Sequence, residues 1–493
     1  MFSPSYFREL FQPNYCEKRI WLNANCPELA VKDIEFIEMV QEKGLSVEKA
    51  HVQTVGPIEE PEYPEGDMSS GFEETLRLIN SKTPTIYQGV LISGDGKFTA
   101  IPDLLIINPK TNKYKIQEIK LATNVDNHPE IEYGVGLSKI IAEEILGYPP
   151  ITEIVTGDGN LISPFNVPDK PDILVIINKI NELENLEQEP IEPVGWSKCK
   201  ECQYCDYCYG RAWDNRSICT ISGIEKGMVR ALWENGVNNW DEIINLGKDE
   251  LYGVKFQHGS QIQRIGPTRG DKIFKQTECL VNGSFEKKSD LILPNGYQKG
   301  NRPIVIFDIE NAVFDEFELY VDVYIWGLMT IVSGNKKEQN TVITPSGDQG
   351  DKEGWVQFLS TMNRIFETYG DIPIVHFSSH ETTKINNYID LYGDKGNIAK
   401  RVKENMWDLY RGILDTLILP VPSYGLKQVE KFVGFKRSQE EYGGSWSLVK
   451  YNQYLQAPDA ETSNKILDEI KTYNAEDLLA TYAVYTWLEE NIC

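Results

Sequence analysis

Two separate α/β patterns occur in this sequence, and they constrain its fold more than any other feature. The first pattern occupies about residues 1–215 and ends in a cluster of cysteines, and the second starts near residue 301. A hydrophobic core rarely grows beyond about 250–300 residues, so one core cannot hold a chain of 493. We therefore predict an α/β protein with domains at 1–215 and 301–493 and a small helical region at 216–300.

The N-terminal segment alternates helical periodicity with strand-like runs. Helices are predicted at about residues 28–44, 69–81 and 133–147. The runs YQGVLISG, FTAIPDLLIINP and KYKIQEIKLA are predicted as successive strands, and DILVIINKI as a further buried strand. An acidic loop, NELENLEQEPIEP, is expected to follow.

The later part of the chain carries two further patterns. ISGIEKGMVRALWENGVNNWDEIINL predicts a short helix, a glycine turn and a second short helix. This pattern is compatible with a degenerate helix-hairpin-helix module, which holds a nucleic-acid backbone through main-chain amides, and with a plain helical linker. From residue 301 on, we predict the strands PIVIFDIE, YVDVYIWGLMTIV and IPIVHFS and the helices VQFLSTMNRIFETYG and AEDLLATYAVYTWLEEN.

Charge and composition narrow the choice of partner and compartment. A formal net charge of −25 argues against a nucleic-acid partner, because phosphate binding is mainly electrostatic. Carboxylates that bind cations reverse that sign locally, so a metal-dependent nuclease is compatible with the charge. No stretch approaches the ~18 apolar residues of a membrane span, and the N-terminus lacks a signal-peptide layout, so a cytoplasmic location is expected. In that reducing compartment, nine cysteines favour ligands or buried thiols over disulfides.

Three polar residues of the N-terminal segment form a minimal hydrolytic set. Asp103 belongs to one predicted strand, and Glu118 and Lys120 lie two apart on the next, where they share a face. Two carboxylates can hold Mg²⁺ or Mn²⁺, which polarises a scissile phosphate, while the lysine positions or activates the attacking water. Alternating charges on a solvated strand would give the same pattern without a catalytic role.

Four cysteines are expected to bind an iron-sulfur cluster. Cys16 stands near the N-terminus, and Cys199-x2-Cys202-x5-Cys208 closes the first segment. One remote thiolate and three clustered thiolates suit a 4Fe-4S cluster that joins the first helix to the end of the domain. The alternative is a zinc site made of Cys199, Cys202, Cys205 and Cys208.

These motifs resemble those of the RecB family of PD-(D/E)XK nucleases, in the iron-sulfur subgroup that includes CRISPR-associated RecB-like exonucleases and the AddB nuclease. The resemblance covers about residues 1–215 and rests on Cys-x2-Arg-x-Trp-Leu, Ile-Pro-Asp, Gln-Glu-Ile-Lys-Leu-Ala and the terminal cysteines. It implies a restriction-endonuclease-like fold, with Asp103 and Glu118 as metal ligands and Lys120 as the catalytic lysine. It also implies a set of cluster ligands, namely Cys16, Cys199, Cys202 and Cys208, with Cys205 unused.

The N-terminal segment departs from this family pattern in one place. The family has a Gln-x3-Tyr pair on the helix after the catalytic lysine, whereas this chain has Gly134 and Ser138 there. The surroundings of the site are therefore altered, and reduced activity in this domain is expected. A helix-borne acid that often precedes the strands in the family would be Glu73 or Glu74.

A second acidic set lies in the C-terminal segment. Asp308 and Glu310 share one face at the end of a buried strand, and Tyr473 and Asp477 share one face of the last helix. Between them a strand is followed by Glu381. Such acids beside a tyrosine suit a two-metal site, in which one ion generates hydroxide and the other stabilises the leaving oxygen. Structural roles are expected for His376, His380, Asp408 and Asp415.

This segment resembles the DEDD exonucleases of the DnaQ and ribonuclease-H-like superfamily over about residues 301–493. The resemblance implies Asp308 and Glu310 as the first motif and Tyr473 with Asp477 as the Tyr-x3-Asp third motif. Glu381 takes the place of the usual aspartate of the second motif. The stretch SYGLKQVEKFVGF adds a resemblance to a divergent bacterial branch in which such a domain follows a RecB-like one.

The two resemblances together imply a metal-dependent, DNA-processing nuclease, and favour an exonuclease, with a 4Fe-4S cluster and Mg²⁺ or Mn²⁺. RNA as the substrate stays open, as does a role in CRISPR-type defence or in repair. No Gly-x4-Gly-Lys-[Ser/Thr] motif is present, so a helicase or integrase partner would be another chain. The alternative function is a nucleic-acid-binding or scaffold subunit with vestigial sites. We expect cleavage chiefly in the C-terminal domain, whose acids carry one conservative change.

Overall fold

The computed structural model describes the chain except residues 32–33, 127, 196–198, 201, 260, 292–293, 295–302, 312–321, 346–348, 439–443 and 493. Its contacts separate two compact units. The first unit contains Met1–Glu192 and the described residues of 197–208. The second unit contains residues 193–195 and the described residues from Tyr209 onward. The described part of 216–300 therefore shares a unit with the C-terminal segment. No described helix is both long enough and apolar enough to cross a membrane.

A five-stranded mixed sheet forms the centre of the first unit. The strands of this unit are β1 (Thr85–Tyr87), β2 (Leu91–Ile92), β3 (Thr99–Ala100), β4 (Leu104–Asn108), β5 (Lys113–Ile119), β6 (Thr152–Val155) and β7 (Leu161–Ile162). The sheet has the order β1-β4-β5-β6-β7, in which β5 and β6 are the parallel pair, and β2 pairs with β3 separately. The helices are α1 (Ser5–Phe11), α2 (Glu17–Asn25), α3 (Ile34–Val52), α4 (Met68–Asn80), α5 (Pro129–Leu146) and α6 (Lys170–Glu184), and α7 (Cys205–Asp214) follows.

Apolar residues cover both faces of this sheet. On one face Ile116 packs with residues of α1, α4, α5 and α6. On the other face Leu104 and Ile119 pack with Val52 of α3. Because neighbouring residues of a strand point to opposite faces, Glu118 lies on the same side of β5 as Ile116.

The segment predicted as the strand DILVIINKI is helical and lies in α6. Ile173, Ile177 and Ile180 are buried, whereas Val175 is 63% exposed. Buried residues spaced by three and four belong to one face of a helix. The strand prediction was wrong because a run of β-branched residues raises strand propensity without fixing the period.

Two other boundaries in this unit differ from the prediction. The predicted strand FTAIPDLLIINP is divided at Pro102 into β3 and β4, which pair with different strands. Proline has no N–H to donate to a strand ladder, which accounts for the break. The first long helix runs over Ile34–Val52 instead of 28–44, whereas α4 and α5 lie close to their predicted ranges.

The described residues between 216 and 291 form short helices and one β-hairpin. They contain α8 (Lys226–Glu234), α9 (Trp240–Leu246), α10 (Lys248–Leu251), β8 (Lys255–His258), β9 (Gln261–Arg264) and α11 (Pro267–Asn282). The predicted helix, glycine turn and helix are α8, Gly236 at φ +76° and α9, which starts with a capping box of Asn239 and Glu242. The predicted helical middle region therefore contains helices as expected, and it also contains the β8–β9 hairpin, which was not predicted.

The C-terminal segment is built on a second five-stranded sheet. The strands from residue 286 onward are β10 (Glu286–Lys287), β11 (Ile304–Asn311), β12 (Val323–Val332), β13 (Asn335–Ile343), β14 (Ile374–His376), β15 (Met406–Asp408) and β16 (Leu417–Ile418), and five of them form this sheet. In the order β13-β12-β11-β14-β15, the first three strands are antiparallel and the last three are parallel, while β10 pairs with β16. The helices are α12 (Gly350–Tyr369), α13 (His380–Tyr392), α14 (Ile398–Asn405), α15 (Leu409–Thr416), α16 (Leu426–Phe432), α17 (Gly444–Leu455) and α18 (Ala460–Asn491).

Strand β11 has a hydrophobic cluster on each of its faces. On one face Phe307 packs with Trp326 of β12 and Phe358 of α12. On the other face Ile306 lies in a cluster with residues of α18. Residues two apart on a strand point the same way, so Asp308 shares the face of Ile306 that α18 covers.

The last helix is longer than predicted. It begins at Ala460, where Asp459 accepts a hydrogen bond from the backbone N–H of Thr462, and it ends at Asn491. Tyr473 and Asp477 therefore lie inside the helix and not at its start. They still share a face, because four residues make about one turn.

Phe358 tests how much the aromatic cluster contributes to stability. Its ring is fully buried and stacks against Phe307, Trp326 and Trp355. Phe358→Ala should lower the free energy of unfolding by about 3–5 kcal/mol, because the cavity loses both transfer energy and contacts. Val356→Ala, at a position 56% exposed on the same helix, should change it by less than about 0.5 kcal/mol. Urea denaturation measures both, and equal effects would contradict the packing described here.

Candidate active site

Three carboxylates of the C-terminal segment converge on one point. Asp308 and Glu310 belong to β11, and Asp477 belongs to α18 on the same face of the sheet. One oxygen of each lies within 4.8 Å of the others. Within the part of the chain that the structure describes, no other three acids, histidines or cysteines come together this closely. Carboxylate oxygens are the ligands that Mg²⁺ and Mn²⁺ prefer, so these three acids, the triad hereafter, could hold such an ion.

Asp308 is oriented by an asparagine one turn before Asp477. Asn474 Nδ2 donates a hydrogen bond to Asp308 Oδ2 at 2.8 Å. Gly327 of β12 lies opposite Asp308, and a Cβ atom there would overlap with the side-chain amide of Asn474. The glycine thus gives Asn474 the room that it needs to reach the carboxylate.

Asp477 is oriented by a buried arginine. Arg437 Nη2 donates to Asp477 Oδ1 at 2.5 Å, while Nε and Nη2 donate to the two oxygens of Glu430 at 2.7 and 2.8 Å. The neighbouring Ser438 donates from its backbone N and its Oγ to Oε1 of Glu476, the residue before Asp477. Glu476 and Asp477 of α18 therefore hold residues 437–438 beside the triad.

Burial raises the pKa of all three acids, and repulsion by neighbouring triad acids adds to the rise for Asp308 and Glu310. For Asp308 the main cause is burial, followed by the charges of Asp477 and Glu310. Burial and the charge of Asp477 raise the pKa of Glu310, whereas hydrogen bonds from Ser447 and Asn474 lower it by a smaller amount. Burial also raises the pKa of Asp477, although Arg437 opposes the shift. A divalent cation would offset this concentrated negative charge.

The structure places Tyr473 beside the triad and Glu381 near it. Burial, followed by the charge of Asp477, raises the pKa of Tyr473, so its hydroxyl stays protonated. Glu381 is buried in the first turn of α13, with Oε2 3.3 Å from His376 Nδ1. Its charge contributes to the raised pKa of Asp308, yet it is not among the three acids within 4.8 Å of one another.

Two other polar residues of this segment have structural contacts. His380 Nε2 lies 3.0 Å from Asn311 Oδ1. Asp408 caps α15 by accepting from the backbone N of Arg411 at 3.1 Å, and it also accepts from the backbone N of Ser378 at 3.2 Å. These contacts support the structural roles expected for both residues.

The structure also brings Asp103, Glu118 and Lys120 together in the N-terminal unit. Asp103 precedes β4, whose first residues pair with the end of β5. Lys120 Nζ lies 2.8 Å from Glu118 Oε2 and 3.8 Å from Asp103 Oδ2. The backbone N of Ile119 donates to Asp103 Oδ2 at 2.6 Å. The ammonium group therefore lies close to both carboxylates.

The ionisation of this set limits what the lysine can do. Burial raises the pKa of Asp103 to about 7, while Lys120 opposes the shift and Glu118 adds to it. Burial alone would lower the pKa of Lys120, but the charges of Glu118 and Asp103 raise it above its usual value. A lysine that stays protonated cannot take a proton from water. It can orient water or bind a phosphate oxygen.

Glu48 of α3 is an acid near this set that the sequence analysis missed. Its charge contributes to the raised pKa of Lys120. Of the two helix acids considered from the sequence, Glu73 is exposed and Glu74 pairs with Arg77 at 2.5 Å. The predicted end of the first long helix at residue 44 excluded Glu48 from a helix. A correct helix boundary would have included it.

Gly134 and Ser138 are buried inside α5. Ser138 Oγ donates to the carbonyl oxygen of Gly134 at 3.3 Å, and a Cβ atom at 134 would contact the side chain of Pro4. Gly134 therefore lies beside the start of the chain, where an added Cβ atom would make an ordinary van der Waals contact with Pro4. This arrangement agrees with altered surroundings of the N-terminal set.

The remote cysteine lies near the cysteines that close the first unit. Burial raises the pKa of Cys208 to about 12, Lys18 opposes the shift, and the charges of Cys16, Cys202 and Cys199 add to it. Electrostatic effects of this kind act over short distances, so the fold gathers these four thiols despite their separation in sequence. Cys205 starts α7.

Comparison with known families bears on the C-terminal segment. A family model for the RNase_H superfamily matches residues 305–489, a range that contains the triad, Tyr473 and Glu381. The chain thus carries a C-terminal RNase H-like domain. Domains with this fold usually hydrolyse phosphodiesters, bind nucleic acid and use divalent metals. No curated protein matches the chain, and no solved structure does.

Metal binding by the triad should be visible as thermal stabilisation. Mn²⁺ at about 100 times its Kd should raise the Tm of the C-terminal unit by roughly 5–10 °C. Asp308→Asn should abolish this gain, and it should also raise the Tm without metal. Because burial raises the folded-state pKa of Asp308 above its unfolded value, the ionised group destabilises the protein at neutral pH.

The matched control is Asp415→Asn, at an exposed acid of the same unit, which should keep the full Mn²⁺ response. Differential scanning calorimetry with and without Mn²⁺ gives all values. A wild-type Tm that responds to neither Mn²⁺ nor Mg²⁺ would show that the triad does not bind these ions.

Proposed function

We propose that this protein is a metal-dependent nuclease whose principal catalytic centre is the triad Asp308, Glu310 and Asp477. The observation that supports it most directly is the convergence of three buried carboxylates within 4.8 Å in an RNase H-like domain. Buried acids that repel one another reduce stability, and strongly perturbed acids of this kind cluster at functional sites. DNA is the proposed substrate, and exonucleolytic cleavage is the proposed activity.

The side chains of the triad would bind the ions, and their neighbours would keep them in position. Bound Mg²⁺ or Mn²⁺ would supply Lewis acidity and lower the pKa of a water molecule. Asn474 holds Asp308, and Arg437 holds Asp477, so the two ligands need little rearrangement before binding. Tyr473, protonated and buried, would donate a hydrogen bond that orients water or a phosphate oxygen. Glu381 would complete the acidic set.

Arg437 adds a permanent positive charge to this acidic centre. Its guanidinium is locked by Glu430 on one side and contacts Asp477 on the other. Its charge offsets part of the negative charge of Glu430 and Asp477, which would lower the repulsion that a phosphodiester meets at this site. The same contact leaves the remaining oxygens of the triad available to metal.

For residues 1–215 we propose a RecB-like nuclease domain with a 4Fe-4S cluster. The convergence of Asp103, Glu118 and Lys120 at one end of the sheet supports the nuclease assignment. The paired ammonium and the packing around Gly134 support reduced activity, so this domain would bind substrate more than it cleaves. The order of the two domains is the basis for proposing a role in defence or repair beside a separate helicase or integrase.

The spacing of the cysteines favours a cluster over zinc. A tetrahedral zinc with sulfur ligands at ~2.3 Å brings those sulfurs to within about 4 Å of one another. Among the described residues, no three cysteine sulfurs lie within 4.8 Å of one another. A cubane cluster holds its four sulfur ligands further apart, and Cys16, Cys199, Cys202 and Cys208 form one electrostatic group.

A second candidate function is a nucleic-acid-binding or scaffold subunit without cleavage. The contact of Lys120 with both N-terminal acids favours it for the first domain, because the ammonium occupies space that a metal would need. The net charge of −25 also lowers general affinity for nucleic acid.

The activity test compares the two sets of acids in the same chain. Asp308→Asn should reduce Mn²⁺-dependent shortening of end-labelled DNA by about 10²-fold or more, because metal-borne charge stabilisation is the main catalytic contribution. Lys120→Ala should retain most activity, and Asp415→Asn should retain all of it. Labelled single-stranded and double-stranded DNA and RNA identify the substrate, and circular DNA should resist an exonuclease.

Two outcomes would change the proposal. If Lys120→Ala is inactive and Asp308→Asn is active, the N-terminal domain is the working nuclease. If wild-type protein shortens no substrate with Mg²⁺ or Mn²⁺, the scaffold function replaces the nuclease.

The cluster test uses the fifth cysteine as its control. Anaerobically purified protein should be brown, with broad absorbance near ~400 nm, and should contain iron. Cys16→Ser should lose most of that iron, because it removes the remote ligand, whereas Cys205→Ser should keep it. Colourless protein with stoichiometric zinc, in which Cys205→Ser loses the metal and Cys16→Ser does not, would establish the zinc alternative.

A further inference from the structure

The β8–β9 hairpin has one face that is open to solvent. Lys255 pairs with Arg264 across the two strands, and Gln257 pairs with Ile262. Because side chains alternate along a strand, these four residues share a face, hereafter the hairpin face. All four are exposed, and Ile262 is 73% exposed. A single exposed isoleucine is common on protein surfaces, so the two cations of this face carry the argument that follows.

The opposite face fixes the hairpin to the unit below it. Phe256 is 3% exposed, and the guanidinium of Arg269 lies 5.6 Å from the centre of its ring. Gly227 of α8 approaches the carbonyl oxygen of Gln257 so closely that a Cβ atom would overlap with it. The hairpin face is therefore presented by a rigid support, which reduces the entropy lost when a partner binds.

The cations of the hairpin face do not stabilise the fold. Lys255 and Arg264 lie directly opposite each other, and like charges in that position repel. Neither forms an ion pair with any residue in the ranges that the structure describes. Folding alone does not account for two adjacent unpaired cations here, so a negatively charged partner is the natural complement.

The charge of the surrounding region fits such a partner. Between residues 216 and 291 there are 11 Lys and Arg and 10 Asp and Glu, whereas the whole chain has 49 and 74. This part of the chain is therefore close to neutral in an otherwise acidic protein. A polyanion would meet less repulsion here than over most of the sequence.

We propose that the hairpin face binds the phosphate backbone of duplex nucleic acid and holds it for the nuclease. A two-stranded β-ribbon has a width that the major groove admits, which favours a duplex over a single strand. Lys255 and Arg264 would each neutralise one phosphate, and Ile262 would contact sugar or base edges. This inference rests on the proposed function, because it assigns a holding surface to the substrate of that nuclease.

The test is the salt dependence of duplex binding by the full chain without divalent metal, measured by fluorescence anisotropy of a labelled duplex. Lys255→Gln with Arg264→Gln should weaken binding roughly tenfold or more at 0.15 M salt. It should also reduce the slope of log K against log salt by about 1.8, the value for two lost phosphate contacts. The variant should fold normally, since the change removes a repulsion, and its Tm checks this.

The matched control is Lys336→Gln with Lys337→Gln, which removes two exposed cations from β13, the second strand of the hairpin formed by β12 and β13. This pair should leave affinity and slope unchanged. Equal losses in both variants, no loss in either, or displacement of duplex by polyglutamate at equal charge would overturn the proposal. Unchanged binding with cleavage intact defeats this inference alone, as does a wild-type chain that binds no duplex but shortens a single strand, whereas a wild-type chain that shortens no substrate with Mg²⁺ or Mn²⁺ defeats the proposed function.

Discussion

Burial of three carboxylates against one another is the unfavourable interaction on which the C-terminal site depends. Each acid loses hydration, which raises the pKa of all three, and repulsion within the triad raises the pKa of Asp308 and Glu310 further. The fold compensates with Asn474 on Asp308 and Arg437 on Asp477. The close approach of β12 to α18 at this point needs glycine at 327, because a Cβ atom there would overlap with the side chain of Asn474.

In both acidic sets a cation offsets the charge of buried carboxylates, but the two cations make different contacts. In the N-terminal set the compensating cation is Lys120, which contacts both Glu118 and Asp103. In the C-terminal set the cation is Arg437, which contacts one oxygen of Asp477 and also pairs with the buried Glu430, which is not a triad acid. Lys120 contacts both carboxylates of its set, whereas Arg437 contacts only one of the three triad acids, so more carboxylate oxygens of the triad remain available to a metal ion. This difference is a physical reason for proposing that the C-terminal domain carries the main activity.

Sequence periodicity could predict which site residues share a face of a strand or a helix. Asp308 and Glu310 are two apart on a strand and Tyr473 and Asp477 four apart on a helix, so each pair shares a face wherever the element ends. Asn474 and Arg437 could not be predicted, because their contacts depend on tertiary packing, whereas Glu48 was missed because the predicted helix ended too early. The α6 segment was mistaken for a strand since its run of β-branched residues does not show which period is buried. The β8–β9 hairpin was missed because its two runs, KFQH and QIQR, are short and mostly polar, although the dipeptide Gly259-Ser260 between them is a turn signal.

The total charge of the chain is a weak guide to its partner, because electrostatic interactions in salt are local. At physiological ionic strength the Debye length is about 8 Å, so an acid on a distant surface is largely screened from a bound phosphate. What a phosphodiester meets is set by the groups within that distance. At the triad these are carboxylates that can bind metal, with Arg437 beside them, and at the hairpin face they are Lys255 and Arg264. The excess of acids would therefore slow the first encounter at low salt while leaving the strength of the docked contacts nearly unchanged.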